Sequence, residues 1–365
     1  MRSPLIFIHS SDELYGADRM LLESIQALPA GQDRDVEVWL PTDLPHGARP
    51  LCAELARRGV VVRHIDLPIV RRAYRTPLGL LRLLGRVVTV AAALRAVAPS
   101  AVYCATSAAF PAAAAARILT RARVIGHVQE IWSRSDRIAL GLPTRACHRL
   151  LAISEPVAAA LPAAVRRHAL VVPNATPEPD QWTPLDGHAG PLRFVVASRW
   201  NGWKGHRTLL EAWDLLEPPG QLVVLGGPPP IGESVDVLAL VSQLRRRESV
   251  TVVGEVPDPA RYVDQADVIL VPSDRAEPFG LVAIEAFARG RPVVASAGGG
   301  LVDIVTDGQD GWLFEPCDVA GLAAVLQRLT RADVQAAGAR ARRTYEQRFT
   351  LERFAHRWCA ATELC

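Results

Sequence analysis

Strand-like and helix-like segments alternate along almost the whole chain of 365 residues. Short apolar runs rich in β-branched residues predict strands in the first half, over 5–9, 36–40, 60–65, 101–104, 123–127, 149–153 and 169–172. Helical patterns lie between them, notably at 17–28, 50–58, 77–97, 109–119 and 155–161. Because strands separated by helices pair in parallel, this half predicts one parallel α/β domain.

A segment rich in proline, aspartate, glycine and threonine interrupts the alternation at 174–191. Strand patterns then resume at 193–198, 221–225, 250–253, 268–272, 292–296 and 312–314, with helical patterns between them. The chain is also longer than a usual single core. It therefore predicts two Rossmann-like domains facing a central cleft, over 1–178 and 192–349, with a linker at 179–191.

Composition narrows the class of protein. The chain is 49% hydrophobic and 22% charged, as is typical of a globular protein, and a net charge of +3 is too weak to indicate a nucleic-acid partner. Its six cysteines form no CxxC pair, which predicts reduced thiols in a cytoplasmic protein. The first residues lead straight into a strand, and the apolar run Val87–Val97 is too short to span a bilayer. We therefore expect a soluble protein.

Two glutamates, Glu277 and Glu285, lie eight positions apart around a predicted helix start. Gly280, Leu281 and Val282 supply the first free N–H groups of that helix, where the helix dipole favours an anion. A single glutamate would need no explanation beyond that dipole. Two carboxylates beside an anion site, followed by a buried strand and the glycine turn 298–300, indicate a ligand that carries both phosphate and sugar hydroxyls. The sequence therefore predicts a sugar-nucleotide site.

A second signal comes from the basic residues, of which only Lys204 is a lysine while the other 40 are arginine. Lys204 and Arg199 lie in the segment Arg199-Trp-Asn-Gly-Trp-Lys204-Gly205, directly after the predicted strand 193–198. A compact ammonium and a planar guanidinium are not interchangeable in a tight anion site. Phosphate ligands and a solvated loop pair are the two interpretations of these residues.

These segments together resemble the retaining glycosyltransferases of family 4, which have the GT-B fold and a Glu-x7-Glu motif. The resemblance implies that Glu285 binds ribose hydroxyls and that Glu277 contacts the donor sugar. It implies that Arg199 and Lys204 neutralise the diphosphate together with the backbone at Phe279–Val282. It also implies that the C-terminal helix, 350–365, packs back on the N-terminal domain. It covers essentially the whole chain, most strongly from 193 to 316.

The N-terminal half carries two weaker matches to this family. Gly16 lies in a segment similar to the family's Gly-Gly-x-Glu-Arg, although Tyr15 replaces the first glycine and Asp18 replaces the glutamate. The alternative interpretation is a helix start with Asp18 in its first turn. His127 ends a predicted strand, at the edge where open α/β sheets bind ligands, and the resemblance places it near the reacting sugar. Glu130 is the second candidate for that role.

Two further patterns carry less weight. Asp33-Arg34-Asp35 has the form of a metal-binding Asp-x-Asp, but it precedes a strand, so we interpret it as a turn and predict no metal. Arginines among leucines indicate weak peripheral contact with an anionic membrane, or more simply a solvated helix face, at positions 71, 72, 75, 82 and 86.

The predicted function is therefore a metal-independent, retaining transfer of a sugar from a UDP- or GDP-linked donor. The acceptor is a hydroxyl on a natural product, lipid or polysaccharide precursor, and no cofactor is expected. Two alternatives remain open: an epimerase or phosphorylase on the same fold, and a non-catalytic nucleotide-sugar-binding protein. A dinucleotide dehydrogenase is disfavoured because no G-x-G-x-x-G follows the first strand.

Overall fold

The computed structural model of the chain describes residues 3–29, 35–44, 49–71, 76–217, 220–229 and 232–365. Asp33 and Arg34 of the predicted turn, and Arg72 and Arg75 of the predicted membrane contact, lie outside these ranges. The chain divides into two compact units. The first comprises Met1–Asn174 and Phe354–Cys365, and the second comprises Ala175–Arg353.

The first unit is built on a parallel sheet that contains seven strands in its described part, in the order β3-β2-β1-β4-β5-β6-β7. The strands are β1 Leu5–Ile8, β2 Val36–Pro41, β3 Val61–Ile65, β4 Ala101–Cys104, β5 Arg123–Val128, β6 Arg149–Ala152 and β7 Ala169–Val171. Strands β1, β2, β4 and β5 are almost continuously buried, which accounts for their unbroken apolar sequences.

The helices of this unit are α1 Gly16–Gln26, α2 Pro50–Arg57, α3 Pro77–Val97, α4 Phe110–Leu119, α5 Arg134–Thr144, α6 Glu155–Ala159, α7 Ala163–Arg166 and α15 Leu351–Thr362. Right-handed crossovers place α3, α4 and α5 on one face of the sheet. Helix α4 accordingly packs against both α3 and α5. Helix α15 buries Phe354 and Trp358, and the Trp358 ring lies 5.6 Å from that of Tyr103.

The second unit contains a parallel sheet of six strands within the described ranges, in the order β10-β9-β8-β11-β12-β13. The strands are β8 Arg193–Ala197, β9 Gln221–Leu225, β10 Val250–Gly254, β11 Val268–Val271, β12 Val293–Ser296 and β13 Gly311–Phe314. The helices are α8 His206–Trp213, α9 Val237–Ser242, α10 Ala260–Gln265, α11 Leu281–Ala288, α12 Leu301–Ile304, α13 Val319–Arg328 and α14 Arg331–Arg348.

The prediction of two parallel α/β domains is confirmed, and each predicted strand corresponds to a strand of one of the two sheets. The division of the chain falls after Asn174, whereas the sequence pattern placed it after residue 178. Hydrogen bonds explain the shift: the Thr176 N–H donates to the Phe349 carbonyl (3.2 Å), and the Tyr345 hydroxyl donates to the Thr176 carbonyl (3.2 Å). These bonds hold the segment after Asn174 on the end of α14, within the second unit.

One expectation from the sequence is wrong, and a second finding concerns the apolar segment. The cysteines are not all reduced, because Cys359 and Cys365 form a disulfide with a Cα–Cα distance of 5.4 Å. The apolar segment is also longer than the run Val87–Val97, since α3 continues through Arg82 and Arg86. By length and composition alone α3 could cross a membrane: its most apolar window has a mean hydropathy of 1.6, and 22% of that window is buried.

Candidate functional site

A group of polar side chains in the second unit lies where its strand order reverses. Strands β8 and β11 are neighbours, but their connections run to opposite sides of the sheet. Ligands of open α/β sheets bind outside the carboxyl ends of the strands at such a switch point. The loop after β8 carries Arg199 and Lys204, and the loop after β11 carries Ser273 and Glu277.

Lys204 and Glu277 meet at this switch point. The Lys204 Nζ lies 2.6 Å from Oε1 of Glu277, and the Ser273 hydroxyl donates to the same oxygen over 2.5 Å. The Glu277 side chain is 8% exposed and that of Lys204 is 23% exposed, so the pair is only partly screened by water. The ammonium also lies over the Trp203 ring, 4.3 Å from its centroid. The chain's single lysine is therefore held by a carboxylate and an aromatic face.

Further contacts fix the two loops relative to each other. The Asp274 N–H donates to the Trp203 carbonyl (2.8 Å), and the Thr208 hydroxyl donates to the Asp274 carboxylate (2.7 Å). Gly205 has a φ of +72°, and a Cβ there would lie 1.8 Å from the Pro272 carbonyl oxygen. Only glycine fits at this crossing. Sequence reasoning missed Ser273 and Asp274, although both directly follow a predicted strand, where functional side chains concentrate.

The loop that carries Glu277 leads into α11 through Gly280. This glycine has a φ of +117°, and a Cβ would lie 2.6 Å from Cδ2 of Leu301. The turn after β12 packs on the same loop: the Gly300 N–H donates to the Glu277 carbonyl (2.7 Å), and a Cβ on Gly299 would lie 2.0 Å from that oxygen. The glycine turn therefore holds the Glu277 backbone in place.

The other residues that the sequence predicts to bind the sugar nucleotide lie in different environments. Glu285 lies in the second turn of α11 and is half-buried, as is Arg199 in the loop after β8. Leu281 and Val282 form the first turn of α11, whose N–H groups have no intrahelical acceptor. Phe279 is buried, with its ring 6.1 Å from that of Phe349, so only its backbone is available to a ligand.

His206 is a buried neighbour of the lysine that the sequence did not indicate. Burial lowers the pKa of His206 to about 4, and the nearby Lys204 charge contributes to the same shift. The Ser198 hydroxyl lies 3.4 Å from its Nε2, and its Nδ1 has no hydrogen-bond partner in the part of the chain that the structure describes. The imidazole is therefore neutral near pH 7.

In the first unit, Asp18 organises the loop after β1. Its carboxylate contacts His9 Nε2 (2.9 Å), accepts from the Ser11 hydroxyl (2.7 Å) and accepts from the Tyr15 N–H (3.0 Å). Burial would raise the pKa of Asp18, but these hydrogen bonds and the His9 contact outweigh it and lower the pKa. Asp18 caps α1, as the helix-start interpretation held, and Gly16 is the first residue of that helix.

His127 lies near the carboxyl end of β5 and is 1% exposed. Its Nδ1 lies 2.6 Å from the Tyr103 hydroxyl and 3.2 Å from Nε2 of Gln129, while its own Nε2 has no hydrogen-bond partner among the described residues. Burial lowers the pKa of His127 to about 3, so the imidazole is neutral near pH 7. Glu130, the second candidate, is exposed and accepts from the Ser107 hydroxyl (2.7 Å).

One group of possible metal ligands occurs within the described residues, and it comprises Asp12, Cys52 and His64 of the first unit. Asp12 already accepts from the Cys52 N–H (2.9 Å), and Nε2 of His64 lies 2.9 Å from an Arg49 guanidinium nitrogen. The group therefore belongs to the start of α2 and not to the polar cluster of the second unit.

The two-unit architecture is that of known proteins. The chain has a TM-score of 0.80 to a crystal structure of Anabaena Alr3699/HepE in complex with UDP-glucose, at 22% identity over 100% of both chains. A structure of the lipopolysaccharide outer core galactosyltransferase WaaB in its apo form gives 0.79, at 17% identity over 98% of each chain. Together with its two parallel sheets, these similarities define the fold as GT-B.

Residues 187–346 match the family model described as glycosyl transferases group 1, and they all lie within the second unit. Segments of curated proteins are similar to this chain as well. The glycogen synthase of Mycobacterium tuberculosis is 48% identical over 168 residues, which are 44% of this chain and 39% of that protein. The D-inositol 3-phosphate glycosyltransferase of Mycobacterium marinum is 42% identical over 126 residues, or 33% and 27%. The matched segments thus span between about a quarter and two fifths of these relatives.

Proposed function

We propose that the protein is a glycosyltransferase that moves a sugar from a nucleotide-diphosphate donor to a hydroxyl acceptor with retention of configuration. The family match of the second unit supports the donor half of this proposal. The family 4 subtype rests on the pattern Glu277-x7-Glu285. Retention rests on that resemblance. Glu277 is a charged partner of Lys204 and is assigned no role as a nucleophile.

The contact between Lys204 and Glu277 carries the proposal. A diphosphate presents more negative charge than one carboxylate, and it would draw the ammonium away from Glu277. The freed carboxylate, still held by Ser273, would then accept hydrogen bonds from sugar hydroxyls. When Lys204 exchanges Glu277 for the diphosphate, the site can bind both the diphosphate and the sugar of the donor.

The start of α11 would complete the diphosphate site. The unpaired N–H groups of Leu281 and Val282 and the helix dipole favour the phosphate oxygens, and Arg199 adds a second cation. Glu285, one turn further along, would accept hydrogen bonds from the ribose. Fixed cations and amides stabilise a leaving phosphate without a divalent ion, because they are already oriented before the bond breaks.

In the proposed reaction the bond between the anomeric carbon and the β-phosphate oxygen breaks, and a bond to the acceptor oxygen forms on the same face of the sugar. The electron pair of the broken bond stays on the diphosphate. The acceptor's proton passes to the departing phosphate oxygen, so no enzymic base is needed. Lys204 and Arg199 stabilise the charge that develops on the diphosphate.

The base of the donor is proposed to be uracil. Structures of Anabaena Alr3699/HepE were solved in complex with UDP and with UDP-glucose, and that protein is similar to this chain over its full length. Support of this kind comes from fold similarity, so a GDP-linked donor stays the competing candidate.

The direct test is a thermal-shift screen against UDP- and GDP-sugars, followed by a transfer assay with the sugar that stabilises the protein most. A ligand that binds only the native state raises the unfolding temperature. Release of free nucleotide diphosphate that depends on the acceptor is expected. Acceptor-independent isomerisation would establish an epimerase, phosphate-dependent release of sugar phosphate a phosphorylase, and binding without turnover a non-catalytic protein.

His127→Ala separates the two units within this assay. We propose that His127 contacts the transferred sugar or the acceptor, so the variant should lower turnover and leave the affinity for nucleotide diphosphate unchanged. Glu130→Ala serves as the comparison, since Glu130 is the second candidate. A loss of nucleotide binding in His127→Ala, measured by calorimetry, would contradict this assignment.

We also propose that the protein works at the cytoplasmic face of a membrane, in weak peripheral contact with anionic lipid. The outward side of α3 is apolar where a solvated helix would be polar: Leu78, Leu81, Leu84 and Val88 are each 59–70% exposed. They recur at helical spacing. Helix α3 contains three arginines and no acidic residue. A stripe of this kind fits a negatively charged bilayer surface.

The arginines proposed from the sequence contribute less than the leucines. Arg71 and Arg86 both bind the Asp43 carboxylate (3.0 and 2.6 Å), so their charges are largely neutralised within the unit. Arg82 is exposed on α3. The attraction therefore depends mainly on buried apolar area, which predicts binding that weakens with added salt but is not abolished by it.

Vesicle co-sedimentation tests this contact. Wild-type protein should bind vesicles of phosphatidylglycerol and phosphatidylcholine, and the double variant Leu81→Glu, Leu84→Glu should bind about tenfold less, since each side chain loses its apolar burial. Leu238→Glu is the matched control, because Leu238 is 60% exposed on α9 of the second unit. Equal loss in both variants, or no binding of the wild type, would rule out α3 as the contact.

A further inference from the structure

A chain of hydrogen bonds links the C-terminal helix to His127 inside the first unit. The Trp358 indole N–H of α15 donates to the Tyr103 oxygen over 3.0 Å. The Tyr103 oxygen lies 2.6 Å from Nδ1 of His127. All three side chains are 1% exposed or less, so water does not compete for these bonds. Trp358 is 255 residues from Tyr103 in sequence.

The donor and the acceptor of each of these hydrogen bonds can be assigned. An indole nitrogen can only donate, so the Tyr103 oxygen accepts from Trp358. The single proton of the Tyr103 hydroxyl then remains for an acceptor, and Nδ1 of His127 lies 2.6 Å from the Tyr103 oxygen. The Gln129 amide nitrogen approaches the same Nδ1 at 3.2 Å, which also places a donor against it. Nδ1 is thereby an unprotonated acceptor, and a neutral imidazole must carry its proton on Nε2.

We propose that Tyr103 and Trp358 are positioning residues that fix His127 as its Nε2–H tautomer, so that His127 donates a hydrogen bond to a ligand oxygen and does not act as a proton acceptor. Nε2 is buried and has no partner within the described ranges, which is the environment of a donor reserved for a ligand. Both residues act through His127, and neither is assigned a contact with the ligand.

The other polar group near this chain is Ser24. Its hydroxyl donates to the Met20 carbonyl over 2.7 Å and also hydrogen-bonds to Tyr103. Since the Ser24 proton is used within α1, its oxygen is the competing acceptor for the Tyr103 proton. Burial raises the pKa of Tyr103 and lowers the pKa of His127, so both groups stay neutral across the range in which an enzyme operates. No charge is then available to reverse the direction of these hydrogen bonds.

The identity of the ligand oxygen rests on the proposed function. In a sugar transfer, the matching group is a hydroxyl oxygen of the donor sugar or of the acceptor, since either can accept from Nε2–H. A neutral donor adds no charge to the transition state. It holds one hydroxyl in place, and a displacement of about 1 Å at such a contact can cost about a hundredfold in rate.

The tautomer can be measured without any activity. Two-bond ¹H–¹⁵N spectra of protein labelled at its nine histidines distinguish a bare ring nitrogen from a protonated one. The His127 signals are assigned as those that disappear in His127→Gln. We expect a bare Nδ1 and a protonated Nε2 in the wild type. A protonated Nδ1 would overturn the proposal, whether or not the protein transfers sugar.

Three variants test the positioning roles. Tyr103→Phe removes the shortest donor and should convert His127 to a mixture of tautomers, with kcat about tenfold lower and the affinity for UDP unchanged. Trp358→Phe should shift the tautomers in the same direction and lower kcat about two- to threefold. Ser24→Ala removes the competing acceptor and should alter neither the tautomer nor kcat. An unchanged tautomer in Tyr103→Phe would overturn its role. A correct tautomer in a protein without transferase activity would leave this proposal standing and reject the proposed function.

Discussion

The candidate residues for ligand binding in the two units differ in charge. In the second unit, Lys204 and Glu277 form a charged pair at the switch point. In the first unit, His127 is neutral and is held by uncharged hydrogen-bond partners. Only the second unit contains the segment that matches the glycosyl transferases group 1 model.

This difference follows from what each half would bind. A diphosphate carries the same charge in every nucleotide sugar, so fixed cations and a helix start can serve all such donors. Sugar and acceptor hydroxyls carry no charge and differ from one substrate to the next. They are selected by the direction of individual hydrogen bonds, which a buried neutral imidazole provides.

The largest expected effect comes from Lys204→Arg. The variant keeps the charge but replaces a compact ammonium, held between Glu277 and the Trp203 ring, with a longer planar group. The displaced phosphates should lower kcat about a hundredfold. Arg207→Lys, a charge-conserving change at an exposed position of α8, should be nearly neutral. Full activity of Lys204→Arg with unchanged donor affinity would remove the second unit's charged site from the mechanism.

Glu285→Ala should act on binding. Loss of a charge-assisted hydrogen bond to ribose costs about 1.5–3 kcal/mol, so the nucleotide-diphosphate Kd measured by calorimetry should rise roughly 10- to 150-fold. Glu211→Ala, at an exposed position of α8, is the matched control. If both variants bind nucleotide as the wild type does, the ribose lies elsewhere.

The two buried histidines should respond differently to the loss of the Lys204 charge, and both should make the protein less stable in acid. The pKa of His127 is about 3 and that of His206 about 4, both below the usual 6.5, so an unfolded chain binds protons that the native state does not. Stability is then lost as pH falls from about 6.5 through these values. In Lys204→Gln the pKa of His206 should rise while that of His127 stays fixed, as followed by histidine NMR titration. Equal shifts at both histidines would show that the two sites are not electrostatically distinct.

Chelation should have the smallest effect. The proposed leaving-group stabilisation uses Lys204, Arg199 and the start of α11, so transfer should continue at an unchanged rate in EDTA. The rate with and without added Mn²⁺ or Mg²⁺ is the measurement. Loss of activity in EDTA that is restored by either ion would show that the cations of the second unit are insufficient.

The sequence alone predicted both sheets and named Lys204 and Glu277 as candidate site residues. Strand and helix periods are local, so apolar runs of four to six residues separated by helical patterns defined the strands of each sheet without any knowledge of tertiary contacts. The position of Glu277 and Glu285 around Gly280 is likewise a matter of local spacing at a helix start. Lys204 was identified from the pattern Arg199-x4-Lys204-Gly205 directly after a predicted strand, a segment that resembles family 4.

Only the tertiary structure decided which of these groups touch. The bond between Lys204 and Glu277 joins residues 73 apart, and the chain from Trp358 to His127 joins helix α15 to strands β4 and β5. The arginines of α3 indicated a surface helix, but only the tertiary structure showed which of its apolar side chains are exposed. Periodicity fixes which side chains share a face, whereas burial and hydrogen-bond partners depend on packing between segments distant in sequence.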